Sequence, residues 1–190
     1  MCNRGIDTAP WWWAALLAFG VTVSATASAA THDRPYLRFV GEYVGKAVSD
    51  ADDELSKRDL RIVIKPLKNK KGFSVHWVSV SHKPDGRIKR KTYTIDFLRS
   101  YRSSVYRSAM RKDLFGHDVP LDPLKGDPYA WATIRGDTLC VFELHILDSG
   151  GYEIQTYRRT LIRGGMRLVY SRLRNGVMLR DVKGTLERVK

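Results

Sequence analysis

The sequence predicts a mainly β protein, an antiparallel up-and-down meander of about eight to ten strands closed into a barrel with one short helix-containing insertion. Three observations carry this. Between Tyr129 and Lys190, strand-forming runs alternate with glycine turns at Gly136-Asp137, Ser149-Gly150-Gly151, Gly164-Gly165 and Asn175-Gly176. Glycine and Asn-Gly accept the positive φ of tight hairpins, so strands adjacent in sequence lie adjacent in the sheet. An open meander of this length would expose two edges, so the first strand is expected beside the last.

The N-terminus stands apart. A polar start carrying Arg4 leads into the apolar run Trp11 to Val23. Small residues then follow from Ser24 to Ala30 and fit signal-peptidase cleavage after Ala29 or Ala30. The apolar run falls short of the ~20 residues of a spanning helix. Residues 1–30 are therefore expected to be a signal peptide. Residues 31–190 then form a single β-barrel domain with an insertion over 99–128, secreted or periplasmic. Cys2 leaves with the leader and Cys140 remains alone, which excludes an intrachain disulfide. In the run Leu139-Cys140-Val141-Phe142, Cys140 reads as a buried, inert thiol. The net charge is +13, and the leader's Arg4 and Asp7 cancel, so the remainder keeps all of it. Such an excess favours anionic ligands or surfaces. Nucleic acid is not expected, because the chain is read as exported and carries no RNA-binding signature or zinc finger.

The first strand is expected from Tyr36 to Val48, around Gly41-Glu42-Tyr43, and Ser49 to Asp59 as an acidic loop or helical turn. A second strand, Leu60 to Ile64, is ended by Pro66, which has no N–H to donate. The turn Lys68 to Gly72 precedes a third strand, Phe73 to Ser81, with Phe73, Val75 and Trp77 on one face. Pro84-Asp85-Gly86 turns the chain into a fourth, Arg87 to Leu98, whose apolar face is Tyr93, Ile95 and Phe97. From Ser100 to Leu114, apolar residues Tyr101, Val105, Tyr106, Ala109, Met110 and Leu114 recur at three and four, which predicts a short basic helix ended by Gly116. His117 to Pro128 is expected as a surface loop, and the insertion as a cap for one barrel mouth. Five further strands complete the count: Tyr129 to Arg135, Thr138 to Leu147, Tyr152 to Leu161, Met166 to Leu173 and Val177 to Val189.

Turn register assigns the faces. Two-residue loops at Asn175-Gly176 and Gly164-Gly165, and closure at Ser149-Gly150, pair Arg172 with Leu179, Tyr157 with Arg172, and Phe142 with Tyr157. One face then collects Phe142, Leu144, Ile146, Leu161, Met166, Leu168, Val177 and Leu179, together with Gln155, Tyr157, Arg159, Tyr170, Arg172 and Asp181. The opposite face holds Glu143, Thr156, Arg158, Thr160, Arg167, Ser171, Arg180 and Lys183 and is the wetter one, so the first is placed inside. A dry interior would not admit two arginines, which argues for a water- or ligand-filled cavity. The repeated Tyr-x-Arg spacing, Tyr157 with Arg159 and Tyr170 with Arg172, would offer guanidinium forks and phenol donors to a carboxylate or phosphate. Two alternatives stay open: the arginines sit at the barrel ends paired with Asp181 or Glu153, or a bulge at Ser149-Gly150-Gly151 reverses one strand's faces.

The Gly41-Glu42-Tyr43 step, the sequential hairpins and Arg188 near the end of the last strand resemble the calycins, the lipocalin-like and fatty-acid-binding-like barrels. The layout matches over most of the chain after the leader. The inward Arg and Tyr groups resemble the carboxylate clamp of fatty-acid-binding barrels, although the order there is Arg-x-Tyr. Tyr43 stands where lipocalins usually carry tryptophan, and the helical insertion lies midway instead of at an end.

The leading expectation is an exported non-enzymatic protein that binds an amphiphilic small molecule or lipid. Its acyl part would lie against Phe142, Leu168 and Leu179, and its anionic head near Arg159 and Arg172, with Gln155, Tyr157 and Tyr170 completing the site. A second reading is an envelope-associated protein whose Arg87, Lys89, Arg90 and Lys91 dock on anionic lipid or polymer. A transmembrane barrel is disfavoured by charge on both strand faces at Arg87 to Lys91 and Arg158-Arg159, and by the terminal lysine. No pair among His32, His76, His82, His117 and His145 has metal-ligand spacing on a recognisable scaffold. Glu143 and His145 share a strand face and read as a solvated pair, and Ser103-Ser104 has no base. No catalytic residue, metal or cofactor is therefore expected.

Overall fold

The computed structural model describes residues 34–189, apart from 52–53, 69–70, 84, 109–110, 113–117 and 120. The signal peptide expected over 1–30, and Gly116, lie outside the described residues. The strands are β1 Gly41–Ala51, β2 Glu54–Pro66, β3 Gly72–His82, β4 Ile88–Arg99, β5 Val105–Ser108, β6 Arg111–Lys112, β7 Asp118–Val119, β8 Tyr129–Arg135, β9 Thr138–Ile146, β10 Tyr152–Ile162, β11 Gly165–Arg174 and β12 Val177–Arg188. Ten close an antiparallel barrel in the order β1-β12-β11-β10-β9-β8-β5-β4-β3-β2, and β6 pairs only with β7. The first strand meets the last from Tyr43↔Arg188 to Asp50↔Asp181. This is a calycin-like layout.

Two expectations about elements are corrected. Val105–Ser108 is a barrel strand, and no helix occupies the described part of Ser100 to Leu114. The apparent period of three and four came from counting Tyr101, which sits in a turn with 93% of its surface exposed. In β5 itself the pattern is alternating, with Tyr106 buried and Arg107 exposed. The acidic segment after Ser49 also belongs to the ladder, which runs to Ala51↔Glu54. Backbone pairing needs no apolar side chain, so polarity alone did not mark a loop there.

The barrel has two unlike ends. A 3-10 turn, Pro35–Phe39, plugs one of them, burying Tyr36 and Phe39. Tyr36 stacks on Phe73 at 5.4 Å between ring centroids, and Phe73 meets Phe97 at 5.4 Å and Tyr106 at 5.1 Å. With Ile64, Val75, Leu139, Met166 and Leu186 they form a dry core, each large side chain worth roughly 1.5–3 kcal/mol of burial. The residues quoted for the calycin resemblance converge here. The Arg188 guanidinium lies 5.6 Å from the Tyr43 ring centroid and also donates to the Val40 carbonyl, while Tyr43 Oη donates to the Phe39 carbonyl at 3.0 Å. Gly41, at φ +152°, passes directly beneath that guanidinium, where a Cβ would come within 2.9 Å of Arg188 Nε.

The opposite end carries the β1–β2, β3–β4, β9–β10 and β11–β12 turns and is open. The segment joining β5 to β8 also leaves the barrel at this end. β4 meets β5 only over Phe97–Arg99, and β5 meets β8 only over Val105–Arg107. Towards the mouth, Ile88 to Thr94 of β4 are exposed on both faces.

Candidate functional site

The open half encloses a cavity of about 110 Å³. Its lining comes from six strands. Arg58, Leu60 and Ile62 come from β2, Trp77 and Ser79 from β3, and Lys91 and Tyr93 from β4. Gln155, Tyr157 and Arg159 come from β10, Leu168 and Tyr170 from β11, and Arg180 and Val182 from β12. Every one sits at an inward position of an alternating strand, so register alone brings them together. The wall contains four cations and no carboxylate.

Arg159 forms part of the floor. Only 1% of its surface is exposed, and its guanidinium lies 5.6 Å from the Trp77 ring centroid and 5.3 Å from that of Tyr157. Its Nε and Nη1 have no hydrogen-bond partner, nor do Arg58 Nε and Arg180 Nε. Burial pulls the Arg159 guanidinium down to about 10, which leaves it charged at neutral pH. Arg58 is lowered by burial first and then by the positive charge of Arg180. With Arg58 and Arg180 side by side and no acid in the wall, the cavity holds a local excess of positive charge.

The aromatic rings are contiguous. Tyr93 stacks on Trp77 at 5.2 Å, Trp77 meets Tyr157 at 5.3 Å, and Tyr157 meets Tyr170 at 4.8 Å. Both phenols donate to one acceptor, Gln155 Oε1, at 3.0 Å from Tyr157 and 3.1 Å from Tyr170. Gln155 Nε2 donates in turn to Glu153 Oε1 at 2.9 Å, while Arg172 and Arg174 donate to Glu153 Oε2 at 2.6 and 3.2 Å. Burial pushes both phenols up, Tyr170 to about 12, so both are neutral. Burial alone would raise the Glu153 carboxyl, but its hydrogen bonds from Arg172, Gln155 and Arg174 hold it below the ordinary carboxylate range.

Of the residues expected in the site, Gln155, Tyr157, Arg159, Leu168 and Tyr170 line the cavity and Arg172, Phe142 and Leu179 do not. Arg172 faces inward, but its Nη2 donates to Glu153 Oε2, the pairing left open as an alternative, while its Nε has no partner. Phe142 is on the outer face, stacked on Trp131 at 5.0 Å. The β9–β10 connection spans residues 147–151 instead of two residues, so Tyr157 pairs with Val141 and the faces of β9 are reversed. Glu143 thereby moves inside, with 9% of its surface exposed, and stands 3.5 Å from His145 Nε2; this is no solvated pair. Burial raises the Glu143 carboxyl, opposed by His145 and Arg159. Cys140 moves to the outer face and is half-buried. Leu179 is displaced by a bulge, where the register jumps from Leu173↔Met178 to Arg172↔Arg180. That jump turns Arg180 and Val182 inward and Asp181 outward, where it pairs with Lys183 at 3.0 Å. The Arg163-Gly164 loop shifts β10 against β11 by two residues, so Tyr157 faces Tyr170 and no face changes.

The wall residues that turn register missed are Arg58, Leu60, Ile62, Trp77, Ser79, Lys91, Tyr93, Arg180 and Val182. Trp77 and Tyr93 were assigned to apolar faces, and the ladder pairs them directly. Arg58 had no sequence signal, because it falls in the polar stretch read as a loop. Among the described residues, no group of His, Cys, Asp and Glu could hold a metal ion.

No protein-family model matches the chain, and no curated protein matches it. Among solved structures it is similar to an S-type phycobiliprotein lyase from Guillardia theta, with 10% identity over 82% of this chain and 90% of that one and a TM-score of 0.36. Because that structure is described as a lyase, the expectation that this chain is not an enzyme is withdrawn.

Proposed function

We propose that this protein is an exported ligand-binding barrel that holds a small molecule by an anionic group, a carboxylate or phosphate, at the open end. One observation carries the reading. Buried guanidinium nitrogens of Arg58, Arg159 and Arg180 lack partners, in a cavity whose wall has no acid. The fully buried Arg159 cation left uncompensated costs several kcal/mol, and the part-buried Arg58 and Arg180 add like charge beside it. A bound anion supplies the missing partner and accepts charge-assisted hydrogen bonds. The size refines the ligand. At about 110 Å³ the cavity is well below the roughly 300–1,000 Å³ of sites for drug-sized ligands. It suits a small molecule or the head of a longer one. Of the three residues expected along an acyl chain, only Leu168 is in the wall. Export is supported by the leader-like residues 1–30.

Titration calorimetry with acetate, benzoate, octanoate and inorganic phosphate tests this. At least one is expected to bind one to one, at least tenfold more weakly in Arg58→Gln and Arg180→Gln. Absence of binding by all four, or equal binding by the variants, would overturn the reading.

A further inference from the structure

We infer that the preferred ligand is a single-ring aromatic carboxylate, inserted ring first with its carboxylate held at the rim by Arg58 and Arg180. The inference rests on the anion-binding reading above and adds the class of molecule. Four features of the cavity converge on it.

The volume comes first. A cavity of about 150 Å³ lined by apolar side chains holds benzene, so about 110 Å³ open at one end takes one ring and no long acyl chain. The second is the surface that ring would meet. Trp77 and Tyr93 form one side as a stacked pair, with Tyr157 continuing the π surface across the floor. Leu60, Ile62, Leu168 and Val182 supply an aliphatic complement. Aromatic contacts are worth about 0.5–1.5 kcal/mol beyond area burial, so a flat ring is favoured over an alicyclic one of equal size.

The third is the hydrogen-bond inventory. The hydroxyls of Tyr157 and Tyr170 are both spent on Gln155 Oε1. The guanidinium N–H groups are the donors left without partners. Such a site is rich in cationic donors and favours an acceptor-only group, the acceptors left in the wall being the neutral hydroxyl oxygens of Ser79, Tyr157 and Tyr170. The fourth is axial order. On β12, Arg180 lies nearer the open-end turn than Val182, and on β2, Arg58 lies nearer its turn than Leu60 and Ile62. The charged group therefore stays at the rim while the ring reaches Trp77.

The decisive experiment compares benzoate with cyclohexanecarboxylate, which has the same charge and similar bulk but no π face, by calorimetry on the full chain. Benzoate is expected to bind at least tenfold more tightly. A parallel titration with 4-nitrobenzoate should quench tryptophan fluorescence in the wild type. Trp77→Phe keeps a ring in the wall and should lose the quenched component, whereas Trp131→Phe, outside the barrel, should retain it. If cyclohexanecarboxylate binds as tightly as benzoate and both depend on Arg180, the anion site survives and the aromatic inference falls. If neither carboxylate binds while phosphate or octanoate does, the inference falls alone. If no anion binds, both readings fall.

Discussion

Replacing Arg159 by methionine should leave the ligand-free protein at least as stable as wild type. The side chain is 1% exposed, two of its nitrogens are unpartnered, and among the described residues no carboxylate forms an ion pair with it. Its desolvation penalty is several kcal/mol, and replacing buried ionic groups by apolar residues of similar volume is often neutral or stabilising by ~1–4 kcal/mol. Against this stands the loss of two ring contacts, on Trp77 and Tyr157, at about 0.5–2 kcal/mol each. The weak attraction to Glu143 is lost too, but that buried carboxyl can take up a proton. The two ranges largely offset, so the balance runs from near neutral to a gain of about 3 kcal/mol. For a domain of this size it corresponds to a Tm between unchanged and roughly 10 °C higher. Urea unfolding and calorimetry on extensively dialysed protein read the change directly. Benzoate titration of the same variant should give an affinity close to that of wild type, because the carboxylate is held at the rim by Arg58 and Arg180 and not by Arg159 on the floor. A variant that unfolds more than ~1 kcal/mol more easily than wild type would refute the reasoning, because the guanidinium would then be structural.

Glu153→Gln should destabilise the barrel by about 1–3 kcal/mol at neutral pH, less than a fully buried pair would cost, since Arg172 and Arg174 can turn towards solvent. The folded Glu153 carboxyl lies below its ordinary value, so its contribution is present above the unfolded value and disappears as pH falls through the folded one. The gap between wild-type and variant urea midpoints should therefore close on acidification, and equal midpoints at neutral pH would show that the network holds nothing. Gly45→Val should cost at least about 2 kcal/mol, because an added Cβ would overlap the Thr185 carbonyl across the β1–β12 seam. An unchanged thermal midpoint would mean that the seam yields more easily than the geometry implies.

The barrel was legible because each glycine turn fixes a local hairpin, and nine of its ten strands follow from turns and alternation. The tenth, Val105–Ser108, was hidden by a turn residue that happened to complete a helical spacing. The site was legible where parity survived: the two-residue shift between β10 and β11 left Tyr157, Arg159, Leu168 and Tyr170 inward. It failed where parity broke. The residues 147–151 and the bulge near Leu173 each move a strand by one, and with period two that exchanges inside for outside. Phe142 and Leu179 left the site for that reason, and Glu143 and Arg180 entered it.

The short β5 leaves the ring fastened on one side by a clasp of only a few rungs. Amides on β4 from Ile88 to Thr94 should therefore exchange with deuterium earlier than those of β11, which is laddered along both sides. The wall beside Tyr93 is then the part of the ring that can widen without unzipping the long hairpins.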